Sequence, residues 1–277
     1  MRVLVTGANG YLGQGIVRHL LGKDVEVVAT DYSISCVDSK AELIECDLFN
    51  VEDPYRFFGE PDVLVHLAWK DGFSHYSSSH IDNLPKHYKF IESFIDSGIE
   101  RVSIMGTMHE VGFYEGSIDE NTPCNPITPY GISKNALREL TQLLCDKNNV
   151  DFQWLRGFYI VGTSKNGASI FAKIVEAEES KQALFPFTMG QSQYDFIDYE
   201  DFCESVALTV IQNEVLGIIN ICSGYPQKLA DRVEQFISDN NYQIKLNYGA
   251  YPDRPYDSKA VWGNCDKLKT IKNSSIV

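Results

Sequence analysis

The chain has 277 residues, of which 44% are hydrophobic, so it can bury a large core in one domain or in a domain with an annex. Its formal net charge is −14 and it has no run of Lys or Arg, which argues against a nucleic-acid partner because backbone phosphates would be repelled. No stretch approaches the roughly 18 apolar residues of a membrane span, and the first strand leaves no room for a signal peptide. We therefore expect a cytoplasmic protein without membrane contact.

The cysteines and histidines show no ligand pattern. The seven cysteines are scattered and contain no Cys-x-x-Cys pair, which indicates neither a disulfide framework nor a zinc site. The six histidines lack the spacing that would place two ligands on one helix face. We expect no bound metal.

The first predicted strand, Val3 to Val5, runs directly into a glycine-rich segment. Glycines there allow a tight turn, a close approach of backbone to a pyrophosphate, and close packing of the next helix on the strand. The start of that helix offers free N–H groups and a dipole that favours negative charge. The segment predicts a dinucleotide site formed by Gly7, Asn9, Gly10, Tyr11, Leu12 and Gly13.

The second predicted strand, Val25 to Thr30, ends at Asp31, 18 residues after Gly13. A carboxylate at this position accepts hydrogen bonds from both ribose hydroxyls and repels the 2′-phosphate of NADP. Tyr32 and Ser33 follow, and no neighbouring Arg or Lys neutralises such a phosphate. Asp31 favours NAD over NADP, the alternative being an Asp that merely begins a turn.

Further strands and helices alternate through the first 162 residues. Continuous apolar runs separated by helices indicate a parallel sheet covered on both faces. The remaining strands are predicted at 41–46, 63–68, 102–105 and 152–161. The helices are predicted at 11–22, 51–58, 78–98 and 129–148.

After Gly162 the pattern loosens, with helices predicted at 168–180, 201–212 and 229–240 and short strands at 218–222 and 244–248. The expected fold is α/β: a Rossmann-type, doubly wound parallel sheet over residues 1–162, and a smaller C-terminal substrate-binding annex over 163–277. The two regions can interleave. Ligands of such sheets bind beyond the carboxyl ends of the strands, where Gly7, Asp31, Ala68 and Thr107 fall.

Tyr130 and Lys134 are four residues apart near the start of a predicted helix, so they share one helical face. A free phenol has a pKa of about 10, but an adjacent ammonium and an oxidised nicotinamide both favour the phenolate. The pair can therefore exchange a proton with an alcohol or ketone, although the spacing also arises by chance in helices. Thr107 closes the fifth strand, where its hydroxyl can hydrogen-bond the same substrate oxygen.

With these motifs the chain resembles the extended short-chain dehydrogenase/reductase family, in its branch of sugar-nucleotide epimerases, dehydratases and reductases. The resemblance covers nearly the whole length. It is carried by residues 6–13, Cys46-Asp47-Leu48, His66-Leu67-Ala68, Thr107 with Gly112, Tyr130 with Lys134, and residues 194–201.

The resemblance implies roles for several residues. Asp47 and Leu48 would flank the adenine, Leu67 and Ala68 would lie beside the cofactor, and Lys134 would also hold the nicotinamide ribose. Thr107 and Tyr130 would carry the proton transfer. The family also implies a sugar nucleotide as substrate and a homodimer as the assembly.

Departures from the family pattern narrow the chemistry. Dehydratases of this branch carry an acidic pair or a Glu after the catalytic Thr, where this chain has Met108 and His109, so we expect no 4,6-dehydratase. His109 occupies the position of a Cys acid/base in reductases that also epimerise. If the strand continues, His109 shares a face with Thr107 and points at the substrate, with Met108 beside it. The alternative is a His hydrogen-bonded within a loop beside Glu110.

The substrate anchors also depart from the pattern. Many relatives have an Arg where Tyr194 stands and an Asn where Tyr159 stands, both of which contact the nucleotide diphosphate. Arg254 is the remaining candidate for a phosphate clamp, the alternative being a surface Arg in a proline-rich loop.

Together these features predict an NAD-dependent oxidoreductase acting at C4 of a 6-deoxy or 4-keto-6-deoxy sugar nucleotide. The first alternative is a 4-epimerase, which uses the same residues but retains its NAD. A second alternative, from another class, is a dinucleotide-binding regulator without catalysis. The intact Thr107, Tyr130 and Lys134 argue against that regulator.

Overall fold

The structure is a computed structural model that describes residues 1–164, 169–252 and 258–275. The strands are β1 (Arg2–Thr6), β2 (Glu26–Asp31), β3 (Glu42–Glu45), β4 (Val63–His66), β5 (Arg101–Thr107), β6 (Gly116–Ile118), β7 (Asp151–Gly157), β8 (Tyr159–Val161), β9 (Leu184–Pro186), β10 (Gln193–Asp198), β11 (Gly217–Ile221), β12 (Pro226–Lys228), β13 (Lys245–Asn247) and β14 (Ala260–Gly263). The helices are α1 (Tyr11–Leu21), α2 (Pro54–Phe57), α3 (Ser79–Asp96), α4 (Pro129–Asn148), α5 (Ile170–Glu179), α6 (Tyr199–Ile211), α7 (Leu229–Asp239) and α8 (Asp266–Ser274).

The main sheet contains seven parallel strands in the order β11-β7-β5-β4-β1-β2-β3. Apolar side chains of α1, α6 and α8 form the core on one face, and those of α3 and α4 form the core on the other. Two covered faces explain why the strands read as continuous apolar runs. The predicted Rossmann-type, doubly wound fold is confirmed.

The C-terminal region contributes to both parts of the molecule. β11 pairs with β7 at the edge of the main sheet, so the chain returns to that sheet after residue 162. A second sheet joins β12, β10, β14 and β6, and β8 pairs with β10. α5 and α7 pack beside β10 around Phe171, Phe196 and Phe236. The division into 1–162 and 163–277 stays a prediction.

The prediction of a single strand at 152–161 is wrong, because the chain forms two strands there, β7 and β8. Phe158 leaves the ladder: its N–H donates to Ile221 O, and its ring packs beside Met108 and Cys222. β8 then pairs with β10 rather than continuing in the main sheet. The break directs the chain from the sheet into the C-terminal region.

Other differences concern short elements. The helix predicted at 51–58 is the four-residue α2, which begins after Asp53, whose carboxylate accepts a hydrogen bond from Arg56 N–H. Sequence patterns predicted no strand for β6, β9, β10, β12 or β14, and no helix for α8. The strands among these contain only three to six residues, too few for a periodic pattern to show.

One buried charge network connects β5 to β7. Glu110 lies in a short 3-10 turn, Met108–Glu110, directly after β5, and both Glu110 and Arg156 of β7 have no exposed surface. Arg156 Nε donates to Glu110 Oε1 at 2.5 Å, and Trp154 Nε1 donates to Glu110 Oε2 at 2.8 Å. A buried carboxylate is tolerated only when paired and hydrogen-bonded, so this network fixes the segment that follows Thr107.

Replacing Glu110 by Gln should lower the free energy of unfolding by about 3–5 kcal/mol, because Arg156 then stays buried without its counter-charge. Urea denaturation followed by circular dichroism measures the change. The matched control is Glu200→Gln, which breaks the exposed Arg18–Glu200 pair and should cost no more than about 1 kcal/mol. Equal losses in the two variants would contradict the role assigned to the buried network.

Candidate active site

The glycine-rich turn between β1 and α1 is shaped for close contact with a ligand. Gly7 has φ +71°, and a Cβ there would lie 2.7 Å from Ala68 N, so a larger residue fits neither the conformation nor the space. Gly10 caps α1 without a side-chain hydrogen bond, which leaves the first-turn N–H groups available to a phosphate.

The other residues of this turn are held by the protein itself. Asn9 Oδ1 accepts a hydrogen bond from Cys36 N at 2.8 Å. The Tyr11 ring stacks on Tyr199 at a centroid distance of 4.5 Å, and Leu12 and Gly13 lie in the first turn of α1. The predicted cofactor residues therefore adjoin one another, and their contacts with a cofactor stay a prediction.

Asp31 ends β2 next to this turn. Its carboxylate accepts hydrogen bonds from Asn9 N at 3.0 Å and from Tyr32 N at 2.7 Å. These backbone contacts hold the side chain at the carboxyl edge of the sheet while leaving it half-buried. Each carboxylate oxygen can accept a further hydrogen bond, so Asp31 can also bind ribose hydroxyls.

A groove of about 910 Å³ runs along this edge. Its lining includes the predicted cofactor residues Gly7, Gly10, Asp31, Asp47, Leu48, Leu67 and Ala68. Asp47 caps the short turn Leu48–Asn50 and also accepts a hydrogen bond from the Tyr32 hydroxyl at 3.2 Å. The size falls within the roughly 300–1,000 Å³ of cofactor sites, and the glycine turn at one side and carboxylate at the other fit a dinucleotide.

Thr107 and Tyr130 lie close together at the carboxyl end of β5. Thr107 is the last residue of β5 and is almost fully buried, and Tyr130 lies in the first turn of α4. Burial raises the pKa of Tyr130 to about 12, and the hydrogen bond with Thr107 partly offsets that increase.

Lys134 lies one helical turn after Tyr130 and is buried. Its Nζ donates to Met105 O of β5 at 2.8 Å and lies 3.9 Å from the centre of the Trp69 ring. Burial lowers the pKa of Lys134 to about 7, although the nearby Glu110 carboxylate raises it. Near neutral pH the amine can therefore hold or release its proton.

Of the two interpretations offered for His109, the continued strand is not observed, because β5 ends at Thr107 and a 3-10 turn that includes Glu110 follows. The His109 N–H donates to Thr107 Oγ1 at 3.2 Å, which caps that turn. The His109 ring nevertheless lies 6.2 Å from the Tyr130 ring and 4.4 Å from the His75 ring. Burial, followed by the effect of His75, lowers the pKa of His109 to about 4, so the ring is neutral at neutral pH.

Met108 lies away from this cluster, in a small core that also contains Val111, Phe158 and Cys222. Its predicted contact with substrate stays a prediction. Arg254 lies outside the described residues. Tyr159 and Tyr194, which stand where relatives carry Asn and Arg, pack against each other at a ring distance of 4.9 Å. Tyr159 also meets the edge of His109.

Sequence reasoning missed an aromatic cluster around the predicted catalytic pair Tyr130 and Lys134. His75 stacks on Tyr130 with ring centres 4.9 Å apart, and His80 lies 5.2 Å from the same ring. Trp69 packs on His87 at 4.5 Å. The available signal was that five of the six histidines fall between residues 66 and 109, a concentration that a search for metal spacing does not use.

The described residues contain no group of three His, Cys, Asp or Glu side chains that could hold a metal ion. All seven cysteines fall in the described ranges and are free thiols. No helix in those ranges is both long and apolar enough to cross a membrane.

Comparison with known proteins gives relatives by sequence and relatives by structure. The chain is 42% identical over 269 residues, or 95% of its length and 99% of the relative, to a dTDP-6-deoxy-L-talose 4-dehydrogenase (NAD(+)) from Aggregatibacter actinomycetemcomitans. A GDP-6-deoxy-D-talose 4-dehydrogenase from the same organism is 21% identical over 98% of this chain and 91% of its own.

Among solved structures, a UDP-glucose 4-epimerase from Thermotoga maritima superposes with a TM-score of 0.82 at 19% identity, covering 98% of this chain and 92% of that one. A likeness at this identity bears on the fold alone. The sequence model of the NAD dependent epimerase/dehydratase family matches residues 3–222. With the glycine turn, the groove and the Thr107–Tyr130–Lys134 group in place, the chain belongs to the NAD dependent epimerase/dehydratase family.

Proposed function

We propose that this protein is an NAD-dependent 4-dehydrogenase of a 6-deoxy sugar nucleotide, which interconverts a C4 hydroxyl and a C4 ketone. The observation that carries the proposal is that Thr107, Tyr130 and Lys134 lie together at the carboxyl edge of the sheet. Trp69, which lines the dinucleotide groove, is next to both Tyr130 and Lys134. Sequence identity of 42% to the talose 4-dehydrogenase over nearly the whole of both chains supports the reaction and the substrate class.

NAD would lie with its pyrophosphate at the start of α1 and its adenosine ribose at Asp31. When bound, it supplies the site that accepts or gives the hydride at C4. Asp47 and Leu48 would flank the adenine at the far end of the groove. Leu67, Ala68 and Lys134 would lie along the nicotinamide half.

Tyr130 exchanges the proton of the C4 oxygen. In oxidation its phenolate accepts that proton, and in reduction its hydroxyl donates it. Thr107 Oγ1 accepts a hydrogen bond from His109 N–H, so the Thr107 hydroxyl hydrogen is free to donate to the substrate oxygen or to Tyr130. Lys134, as an ammonium, favours the phenolate form of Tyr130.

Aromatic rings form the other wall of the site. His109 contacts His75, Tyr130 and Tyr159, and we propose that it shapes the space for the sugar rather than exchanging protons at a carbon. Arg254 remains our candidate for contact with the nucleotide diphosphate, and Met108 for contact with the sugar.

We also propose a homodimer in the cytoplasm. α4 carries the exposed apolar residues Ile132, Leu140 and Leu143, and the adjacent α3 carries the exposed Ile81. An exposed apolar stripe on two neighbouring helices suits a two-fold contact with a second copy. The seven free thiols suit a reducing compartment.

The direct test of function is to incubate the purified protein with dTDP-6-deoxy-L-talose and excess NAD. A 4-dehydrogenase should form NADH and the 4-keto sugar nucleotide in equal amounts, and it should release its NAD during purification. Absorbance follows NADH, and mass spectrometry follows the sugar. Formation of the 4-epimer without NADH, by protein that retains NAD, would instead identify a 4-epimerase.

The same assay, run from the 4-keto compound in deuterated water, also tests His109. If deuterium enters the sugar at a carbon next to C4 before any reduction, and if His109→Asn abolishes that exchange, then His109 exchanges protons and does not merely shape the space for the sugar. If the protein binds NAD but turns over no 6-deoxy sugar nucleotide, that result would support the alternative of a dinucleotide-binding regulator without catalysis.

Replacing Tyr130 by Phe should lower kcat by about 10² or more, because a positioned proton donor and acceptor is worth at least that factor. NADH binding, measured by fluorescence, should stay within about threefold, since the phenol's chemistry rather than its ring is lost. The matched control is Tyr88→Phe on α3, whose hydroxyl lies outside the site and whose loss should leave kcat unchanged. A fully active Tyr130→Phe enzyme would assign the proton transfer to another group.

Replacing Asp31 by Ala should weaken the preference for NADH over NADPH by about tenfold or more, because the carboxylate no longer binds the ribose hydroxyls or repels a 2′-phosphate. Binding titrations with both cofactors measure this. Asp38→Ala removes an exposed carboxylate from the loop that follows β2 and should leave the preference intact. Tighter binding of NADPH by the unmodified protein would refute the assignment of Asp31.

A further inference from the structure

Lys134 is buried, and no carboxylate among the described residues forms an ion pair with it. Its ammonium donates to Met105 O, and its other near neighbour is the ring of Trp69 at 3.9 Å. Transfer of an ammonium into a protein interior is costly unless the charge is paired or otherwise compensated. The face of an indole provides such compensation, because its π electrons attract a cation, most strongly where water is excluded.

The other charged and titratable groups around Lys134 compensate its charge only in part, because Glu110 raises the Lys134 pKa but its carboxylate oxygens are already hydrogen-bonded elsewhere. Both oxygens of the Glu110 carboxylate already accept hydrogen bonds from Arg156 and Trp154. Burial, with the Lys134 charge as a smaller cause, lowers the pKa of His66 on β4 to about 3. Burial, then His66, then Lys134 lower the pKa of His87 on α3 to about 2. Both imidazoles are thus neutral neighbours.

We propose that Trp69 is a positioning residue for the catalytic pair, whose indole face stabilises the protonated amine of Lys134 and thereby maintains the positive charge that assists Tyr130. No part of the sequence pattern assigned Trp69 a role. The statement about Lys134 stands on the structure alone, whereas its effect on Tyr130 rests on the proposed function.

Trp69 is itself held in place at both ring nitrogen and ring face. Its Nε1–H donates to His80 Nδ1 at 3.0 Å, and His80 Nε2 lies 3.0 Å from Ser74 O. A carbonyl only accepts, so His80 carries its proton on Nε2 and presents a bare Nδ1 to the indole. The ring of His87 stacks on Trp69 with an interplanar angle of 18°. Small movements of the indole are therefore resisted from two sides.

The indole contacts both members of the catalytic pair, since the Tyr130 ring lies 6.4 Å from the Trp69 ring in an edge-on arrangement. Loss of the π face would favour the neutral amine of Lys134. Tyr130 would then lose a nearby positive charge and form its phenolate less readily. The pH limit that the ammonium of Lys134 sets on activity would move down together with the Lys134 pKa.

The test is a pH titration of lysine side chains labelled with carbon-13 in the cofactor-free protein, followed by NMR. The Lys134 signal is identified by its absence in Lys134→Met. In the unmodified protein it should titrate near pH 7. In Trp69→Leu the Lys134 pKa should fall by about one unit, whereas Trp69→Phe, which keeps an aromatic face, should hold it within about half a unit.

Trp262→Leu, on β14, is the matched control and should leave the Lys134 pKa unchanged. A Lys134 pKa that stays the same or rises in Trp69→Leu would overturn the proposal, because the indole would then act only by excluding water. If Trp69→Leu does not fold, the Lys134 pKa in Trp69→Phe is compared with the Lys134 pKa in the unmodified protein. A fall of more than about one unit would show that the ammonium depends on the indole itself and not only on an aromatic face.

The dependence of kcat on pH gives the second measurement, on the NAD-loaded enzyme with its sugar nucleotide. Trp69→Leu should move the pH limit of kcat that Lys134 sets down by about one pH unit, and Trp69→Phe should reverse most of that shift. A uniform loss of kcat at every pH would indicate a structural role and contradict the proposal. The NMR titration needs no substrate, so it stays decisive even if the protein proves not to be a 4-dehydrogenase.

Discussion

The buried carboxylate of Glu110 is the constraint on which the active site depends. It follows β5 by three residues and is held by Arg156 and Trp154 of the adjacent strand β7. Because a buried charge must keep its partners, the turn that contains His109 has one permitted position relative to the sheet. The carbonyl of His109 in turn lies so close to Gly131 that a Cβ there would be 2.5 Å away. One ion pair thus positions both the end of β5 and the start of α4.

The parallel sheet then determines what lies near this point. Parallel strands end at a common edge, so the glycine turn after β1, Asp31 at the end of β2 and Thr107 at the end of β5 lie along one edge of the sheet. The glycine turn and Asp31 line the groove there. Lys134 reaches back to β5 through Met105 O. The predicted cofactor residues and the predicted proton-transfer residues are thus brought to the same edge by the backbone of the sheet.

The side chains that surround Tyr130 and Lys134 are mostly aromatic and imidazole rings. Tyr130 is half-buried with a raised pKa and Lys134 is buried with a lowered one. Burial lowers the pKa of His66, His87 and His109 well below neutral pH. In such an environment the stacked rings of Trp69 and His75 influence proton positions without adding charge. This chain shares its fold with structural relatives of about 20% identity. The ring cluster is formed by the side chains around Tyr130, among them Trp69 and His75.

The sequence by itself determined the Rossmann-type fold, because apolar periodicity and glycine turns are local properties of the chain. Its motifs also carried the resemblance that identified the family, and they singled out Thr107, Tyr130 and Lys134 as candidate site residues. It also indicated an NAD enzyme of sugar nucleotides, in agreement with the 42% identical dehydrogenase. Only the tertiary structure decided that β5 ends before His109, that the chain breaks at Phe158, and that Trp69 lies on Lys134. These depend on contacts between residues as much as 65 positions apart, such as Trp69 with Lys134, and spacing along a chain carries no information about such contacts.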